Sequence, residues 1–272
     1  MDFLIPAFFS FLITALSVYP TIKIAKKFDL LDNPKKRPHP AQIHTKTIPR
    51  AGGLAIFIGI ILSIFIFLPL EKHILGIILG TSILLVLGLY DDKSKNFSPY
   101  KRLLIQFLAG DPNQENIAKL SFITAGSALG FFIFNWHPAK IFPGFSGSGV
   151  FGLIIASLAI LSGAKLATAG LVLLIPATDF MYTFVRRVLQ GKSPVWGDRG
   201  HLHHLLLNRG LTPQQITCIY MALGVILGAL ALNLNSKGKL FASVLVALSV
   251  LGLILWLNSF GDYSRKHDPD NG

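Results

Sequence analysis

Long apolar runs separated by short polar segments dominate this chain. Because a helix rises about 1.5 Å per residue, roughly 15–20 apolar residues cross the hydrocarbon core of a bilayer. About eight runs approach that length and are predicted to be membrane helices. They are Phe3–Thr21, Gly53–Leu70, Ile74–Tyr90, Leu120–Asn135, Gly149–Ser162, Leu166–Val185, Ile216–Leu234 and Leu240–Asn258. The pattern predicts an all-α fold, a polytopic transmembrane helical bundle forming a single membrane domain over residues 1–272.

The first apolar run is expected to stay in the protein as a helix. Asp2 and no basic residue precede it, whereas Lys23, Lys26 and Lys27 follow it. A cleavable signal sequence carries its positive charge ahead of the apolar run, so this order does not fit one. The positive-inside rule then places the N-terminus outside.

Three segments between the runs are strongly basic, and they lie near 22–52, 91–103 and 186–215. Such loops are expected to face the cytoplasm. Two predicted crossings separate the first pair, as the rule requires, but three separate the second and third. The conflict points to Tyr100–Leu120, where a helix start at Leu103–Ala109 stops at Gly110-Asp111-Pro112. One or more crossings are therefore predicted to be missing from this region.

Composition supports the same class of protein. With a mean hydropathy of +0.58 and 14% charged residues, the chain has too little polar surface for a soluble domain. The net charge of +12 would suit a nucleic acid, but the basic residues stand beside apolar runs, next to anionic lipid. The lipid bilayer is thus a predicted partner and nucleic acid is not. The single cysteine, Cys218, excludes a disulfide framework and a cysteine metal site.

A pair of adjacent carboxylates, Asp91 and Asp92, directly follows the third apolar run. Adjacent carboxylates repel each other and usually need a cation, and hard oxygen ligands suit Mg²⁺ bridging a diphosphate. A solvated helix end is the alternative for a lone pair of this kind. The neighbouring motifs favour the metal interpretation.

A second polar cluster, Asp198-Arg199-Gly200-His201-Leu202-His203-His204, lies in the third basic loop. Histidines beside an Asp and an Arg can bind a metal or donate hydrogen bonds to a nucleotide and its phosphates. Zinc is disfavoured because no cysteine and no HExxH-type spacing accompanies the histidines. Contact with a phosphate or nucleotide is the favoured interpretation, and the absence of any ligand role is the remaining alternative.

Three further features are candidates for chemistry. The segment from Lys35 through His44 to Gly53 combines basic residues with glycines that allow close backbone approach at a helix entry, although basic loops beside membranes are ordinary. Phe142–Gly149 is a Gly/Ser-rich turn that either presents N–H groups to an anion or is merely a loop. Asp179 is a costly carboxylate within an apolar run, and pairing with Arg186 or Arg187 is its structural alternative.

Taken in order, these motifs resemble the polyprenyl-phosphate N-acetylhexosamine-1-phosphate transferases, which transfer a sugar 1-phosphate from a UDP-sugar to a polyprenyl phosphate. This family starts O-antigen, teichoic-acid and related glycans, and it includes the translocase of the first peptidoglycan lipid intermediate. The matching stretches cover most of the chain. They are Ile48–Ala55, Gly88–Asp92 with Ser98–Lys101 and Gln106, Asn135–Phe142, and Asp198–Leu205.

The resemblance implies a multi-pass protein of the plasma membrane with its active site on the cytoplasmic face. It implies that Asp91 and Asp92 are catalytic and bind Mg²⁺, with Mn²⁺ as the alternative ion. The residues it implies for substrate binding are His44, Arg50, Lys101, Arg199, His201, His203 and His204. The implied substrates are a UDP-N-acetylhexosamine and polyprenyl (undecaprenyl) phosphate, with UMP released, and a homodimer is implied by the resemblance alone.

Two departures from the family pattern matter. The family carries an Asp-Gly-x-Asp-Gly-Leu segment between its Asp-Asp and Pro-Ala-x-Ile-Phe motifs, and this chain has none. The family also has Gly-Asp-x-Gly-Ser, whose Asp is a magnesium ligand, where this chain has Phe145. An alternative function is therefore a catalytically impaired member, either a lipid-phosphate-binding scaffold or a remnant without function. A transporter or channel ranks last, because no pair of interrupted helices in repeated halves supports it.

Overall fold

The computed structural model describes residues 3–33, 46–94, 114–162, 166–193 and 200–266. Within them the chain is almost entirely helical, which confirms the predicted fold class. The two short strands β1 and β2 pair antiparallel, with Leu31 opposite Pro49. In chain order the elements are α1 (Leu4–Lys27), β1 (Leu31–Asp32), β2 (Ile48–Pro49), α2 (Gly52–Phe67), α3 (Lys72–Ser94), α4 (Gln114–Asn135), α5 (Gly144–Leu161), α6 (Leu166–Val172), α7 (Leu174–Leu189), α8 (Leu202–Asn208), α9 (Pro213–Asn233) and α10 (Ser236–Lys266).

The predicted apolar runs all lie on helices, but not every run is a full span. Among the described residues six helices are long and apolar enough to cross a membrane, namely α1, α3, α4, α5, α9 and α10. Helix α2 has 16 residues, which amounts to about 24 Å of helix against a hydrocarbon core of about 30 Å. The run predicted at Leu166–Val185 is divided into α6 and α7, which are bent by 70°, and counting them as one span gives seven.

The segment with the predicted missing crossing is only partly described. Leu103–Ala109 lies outside the described residues, so the missing crossing stays a prediction. Three of the polar residues expected to interrupt a helix, those at 114–116, begin α4 instead.

The chain forms two compact units, and of the described residues the first contains 3–33, 46–94 and 114–162. In this unit α1 packs against α2 and α4, while α3 packs against α5. Its core is rich in fully buried isoleucine on α2, where Ile56, Ile60 and Ile64 have no exposed surface. The predicted single membrane domain concerns the arrangement of both units and stays a prediction.

Helices α1 and α4 approach closely because α4 carries glycine where the helices cross. A Cβ at Gly126 would lie 2.7 Å from the carbonyl carbon of Ala7, and one at Gly130 would overlap the carbonyl oxygen of Phe11. Beside these positions the hydroxyl of Thr14 donates to the Ser127 hydroxyl at 2.9 Å. Lipid tails are as apolar as leucine, so small residues that allow backbone contact stabilise helix pairs in membranes.

Gly126→Ala is expected to destabilise the protein by about 1–3 kcal/mol, since the added methyl group must push two backbones apart. The measurement is the midpoint of thermal unfolding of the full chain in lipid nanodiscs. Gly152→Ala is the matched control, because nothing lies within 4 Å of a Cβ at that helical position. Equal midpoints for the two variants would contradict the close approach of α1 and α4.

Of the described residues, the second unit contains 166–193 and 200–266. Its described core joins α6 and α7 to α9 and α10 through Leu171, Leu227 and Ile254. A capping box begins α9, in which Thr212 and Gln215 satisfy each other's backbone N–H groups. The guanidinium of Arg209, just after α8, donates to the carbonyl of Leu257 on α10 at 2.9 Å. The histidine-bearing helix α8 is therefore held to a long helix at its C-terminal end.

Candidate active site

Two segments that are far apart in sequence meet by backbone hydrogen bonds in the first unit. The N–H of Phe142 donates to the carbonyl of Pro49 at 2.8 Å, and the N–H of Gly52 donates back to Phe142 at 3.0 Å. The N–H of Gly53 donates to the carbonyl of Pro143 at 2.9 Å. The entry to α2 and the turn before α5 are therefore fixed against each other, and a Cβ at Gly53 would collide with Ser146 and Gly147.

The carboxylate of Asp92, at the end of α3, binds the turn before α5. Its Oδ1 accepts from the N–H of Phe145 at 2.9 Å, and its Oδ2 accepts from the N–H of Ser146 at 3.3 Å and the Ser146 hydroxyl at 3.1 Å. The residue that precedes α5, Pro143, offers no side-chain cap, so Asp92 satisfies N–H groups that the helix itself cannot. The Gly/Ser-rich turn does present N–H groups to an anion, and the anion is this carboxylate.

Gly144 makes the cap sterically feasible. Its φ of +68° lies in the left-handed region, which side chains other than glycine rarely adopt. A Cβ there would overlap the carbonyl oxygen of Arg50 and would lie 2.6 and 2.9 Å from the two oxygens of Asp92. Three motifs, around Arg50, Asp92 and Gly144, therefore converge within van der Waals contact.

The guanidinium of Arg50 lies beside the cap. Its Nε is 3.8 Å from Oδ1 of Asp92, and its Nη1 is 3.9 Å from Oδ2 of Asp32. The Asp92 side chain has no exposed surface, whereas that of Arg50 is 34% exposed. One cation thus neighbours two carboxylates and still reaches the surface, where it can meet a phosphate.

Asp91 precedes Asp92 at the end of α3 and is half-buried. Within the described ranges no group of three or more His, Cys, Asp or Glu side chains is placed to hold a metal ion. Magnesium is commonly bound by one or two carboxylates together with water and substrate phosphates. The oxygen donors of Asp91 and Asp92 fit an ion of that kind when a diphosphate supplies further ligands, and the ring of Phe145 adds none.

A second carboxylate cluster lies in the other unit, where Asp179 on α7 meets the start of α8. Oδ2 of Asp179 is 3.0 Å from Nδ1 of His201, and Oδ1 accepts from the N–H of Leu202 at 2.8 Å. The alternative that Asp179 pairs with Arg186 or Arg187 is wrong, because its carboxylate is committed to these two groups. Its partner His201 lies 22 residues further along the chain, directly before α8.

Two of the three histidines open onto a pocket of about 590 Å³ in this unit. The ring centroids of His201 and His203 lie 5.8 Å apart, and those of His203 and His204 lie 4.2 Å apart. The pocket is lined by Pro176, Asp179, Phe180, His201, His203, Ile216, Thr217, Tyr220 and Met221. His204 is 7% exposed and lies on the buried side of α8.

The environment of His203 affects its charge. Burial lowers the pKa of His203, and His201 lowers this pKa further, while the carboxylate of Asp179 acts in the opposite direction. The ordinary pKa of histidine is about 6.5, and a pKa below it favours the neutral imidazole at pH 7. A neutral imidazole offers one donor and one acceptor instead of a fixed positive charge.

The predicted site residues are thus distributed over both units. Arg50, Asp91 and Asp92 lie in the first, whereas His201, His203 and His204 lie in the second. The remaining predicted residues, His44, Lys101 and Arg199, lie outside the described residues.

Sequence reasoning missed two polar residues of the first unit, Ser146 and Asp32. Ser146 belongs to the Gly/Ser-rich turn, so the turn signal pointed to it without singling it out. Asp32 lies on β1 and belongs to no motif, so the sequence did not indicate that its carboxylate lies 3.9 Å from the guanidinium of Arg50.

Comparison with known proteins relates the chain to membrane sugar-phosphate transferases. A family model described as glycosyl transferase family 4 matches residues 111–163, which include the turn that Asp92 caps. A probable undecaprenyl-phosphate N-acetylglucosaminyl 1-phosphate transferase of Bacillus subtilis (strain 168) is 26% identical over 343 residues, which covers 98% of this chain and 94% of that protein. A decaprenyl-phosphate N-acetylglucosaminephosphotransferase of Mycobacterium tuberculosis (strain CDC 1551 / Oshkosh) is 31% identical over 177 residues, covering 56% of this chain and 43% of that protein.

A third relative is an undecaprenyl-phosphate alpha-N-acetylglucosaminyl 1-phosphate transferase of Pasteurella multocida (strain Pm70). It is 34% identical over 114 residues, which covers 38% of this chain and 32% of that protein. The match to the Bacillus protein runs over 343 residues, although this chain has 272. Part of that relative therefore has no counterpart in this chain.

Proposed function

We propose that this chain belongs to the polyprenyl-phosphate N-acetylhexosamine-1-phosphate transferase family and transfers N-acetylhexosamine 1-phosphate from a UDP-sugar to a polyprenyl phosphate. The observation that carries the proposal is the convergence of Arg50, Asp92 and the start of α5. The relatives' names state a polyprenyl-phosphate acceptor and an N-acetylglucosamine phosphate group. The same proposal includes undecaprenyl phosphate as the acceptor. It places the protein in the plasma membrane, with its active site on the cytoplasmic face.

The proposed reaction is a phosphoryl transfer. An oxygen of the lipid phosphate forms a bond to the β-phosphorus of the UDP-sugar, while the bond from that phosphorus to the bridging oxygen breaks. UMP leaves with the bridging oxygen, and the product is a lipid-linked diphosphate sugar. Catalysis of this kind depends on positioning and on stabilising negative charge.

The residues have distinct proposed roles. Arg50 binds a phosphate, because its guanidinium lies next to Asp92 and remains partly exposed. Asp91 and Asp92 hold Mg²⁺, or Mn²⁺ as the alternative, which when bound neutralises charge on the diphosphate. The hydrogen bonds from Phe145 and Ser146 hold the Asp92 carboxylate in place before any ligand arrives. His201 and His203 bind the nucleotide sugar.

The test is UMP release by the purified full chain in nanodiscs supplied with undecaprenyl phosphate, Mg²⁺ and a UDP-N-acetylhexosamine. We expect release that requires both lipid phosphate and Mg²⁺, and at least a hundredfold loss in Asp91→Asn. Gly152→Ala serves as the control, since that position is open. Absence of UMP release with every hexosamine donor would overturn the proposal.

A second candidate is a catalytically impaired member that binds lipid phosphate without turnover. Phe145 favours it, because this residue in the first turn of α5 donates its backbone N–H to Asp92 and its side chain has no oxygen to offer a metal ion. The comparison with the Bacillus relative favours it as well, because part of that protein has no counterpart in this chain. Binding of polyprenyl phosphate without UMP release would support this candidate over the transferase.

A further inference from the structure

The carboxylate of Asp179 is almost fully enclosed, with 6% of the residue exposed, in the middle of α7. Burying such a group is costly unless both oxygens find donors. Both do, because Oδ1 accepts from the N–H of Leu202 and Oδ2 accepts from Nδ1 of His201. One side chain thus caps α8 and holds the ring of the residue that precedes α8.

The hydrogen bond to His201 determines the position of the ring proton. A carboxylate only accepts, so Nδ1 of His201 must carry the hydrogen that fills the 3.0 Å gap. In a neutral imidazole the other nitrogen, Nε2, is then an acceptor. The hydroxyl oxygen of Thr183 lies 3.4 Å from the same Nδ1, which is longer and weaker than the contact with Asp179.

The ring of His201 borders the pocket between α7, α8 and α9, and its side chain is 29% exposed. Since Nδ1 is taken by Asp179, Nε2 is the ring nitrogen left for a ligand. An acceptor nitrogen recognises a hydroxyl or an N–H, whereas an ionised phosphate brings no proton. The chemistry at this point suits the sugar hydroxyls or the base of a nucleotide sugar.

We propose that Asp179 is a positioning residue that holds His201 as the Nδ1–H tautomer and presents Nε2 as an acceptor to a hydroxyl or N–H of the nucleotide sugar. This inference rests on the proposed function for its substrate. The hydrogen on Nδ1 follows from the contact with Asp179, and Nε2 is an acceptor in the neutral ring. Asp179 does not touch the reacting atoms.

Asp179→Asn separates this role from a merely structural one. The amide oxygen of asparagine still accepts from Leu202, so the cap of α8 and the fold are retained. The amide nitrogen now donates towards Nδ1, which favours the opposite tautomer, with the hydrogen on Nε2. Thr183→Val is the matched control, because it removes the weaker contact and leaves Asp179 in place.

The first measurement is ¹⁵N NMR of histidine-labelled full chain in nanodiscs, with His201→Gln to assign the His201 signals. We expect a protonated Nδ1 and a bare Nε2 in the wild type and in Thr183→Val, and the reverse in Asp179→Asn. A bare Nδ1 in the wild type overturns the proposal whether or not any variant folds. An unchanged tautomer in Asp179→Asn overturns it too.

The second measurement is UMP release. Asp179→Asn is expected to raise KM for the nucleotide sugar or to lower kcat by at least tenfold. Its unfolding midpoint is expected to stay unchanged. An Asp179→Asn enzyme with wild-type kcat and KM would overturn the positioning role. Failure of the proposed function looks different, because the wild type would then release no UMP while the tautomers still followed the expected pattern.

Discussion

Asp92→Ala is expected to abolish UMP release and to destabilise the protein strongly, whereas Asp91→Ala is expected to abolish UMP release with a smaller loss of stability. Asp92 is buried and accepts three hydrogen bonds, from two backbone N–H groups and one hydroxyl. Leaving each buried donor unsatisfied costs about 1–3 kcal/mol. Asp91 is half-buried beside it, and the hydrogen bonds described at the start of α5 are made to Asp92.

Thermal unfolding in nanodiscs, run alongside the UMP assay, separates the two variants. Gly144→Ala provides an independent check, since a methyl group at φ +68° would collide with Arg50 and Asp92 without removing a carboxylate. We expect its unfolding midpoint to fall as in Asp92→Ala. If Asp92→Ala and Asp91→Ala unfold at the same temperature, Asp92 does not cap α5.

Phe145→Asp is expected to increase Mg²⁺-dependent UMP release at least tenfold over the wild type. The substitution adds a carboxylate in the first turn of α5, where the partial positive charge of the helix N-terminus favours an anion. It stands next to the Asp92 carboxylate, which Phe145 already contacts through its N–H. Two neighbouring carboxylates then offer a magnesium ion one more oxygen ligand than the wild type does.

Phe145→Asn is the matched control, because it has the size of aspartate and lacks the charge. Added Mg²⁺ is expected to raise the unfolding midpoint of Phe145→Asp more than that of Phe145→Asn, since an ion that binds only the folded protein stabilises it. This measurement does not depend on turnover. If added Mg²⁺ raised the unfolding midpoints of Phe145→Asp and Phe145→Asn equally, position 145 would not face the metal site.

The phenyl group at 145 also separates the two candidate functions. If the wild type releases no UMP and Phe145→Asp does, the chain has the transferase architecture and lacks only one magnesium ligand. If neither variant releases UMP while both bind polyprenyl phosphate, the impaired lipid-phosphate-binding member is the better description. The substitution is therefore informative whichever function the wild type has.

The sequence predicted which motifs form the candidate site better than it predicted how their residues contact one another. Asp91 and Asp92 stood out because adjacent carboxylates repel each other and usually need a cation. The histidines stood out because they lie together beside an Asp and an Arg. The turn before α5 stood out because glycine and serine present N–H groups. Nothing local showed that the anion held by this turn is Asp92, since that depends on α3 packing against α5.

Sequence alone determined the all-α fold and the positions of most helices, because the bilayer demands long apolar helices whose backbone bonds are internal. Tertiary structure decided where those helices break and which polar groups meet. It divided Leu166–Val185 at a 70° bend, and it paired Asp179 with His201 instead of Arg186. Helix formation is a local property of the chain, whereas the partner of a buried carboxylate is set by residues that packing brings from elsewhere in the sequence.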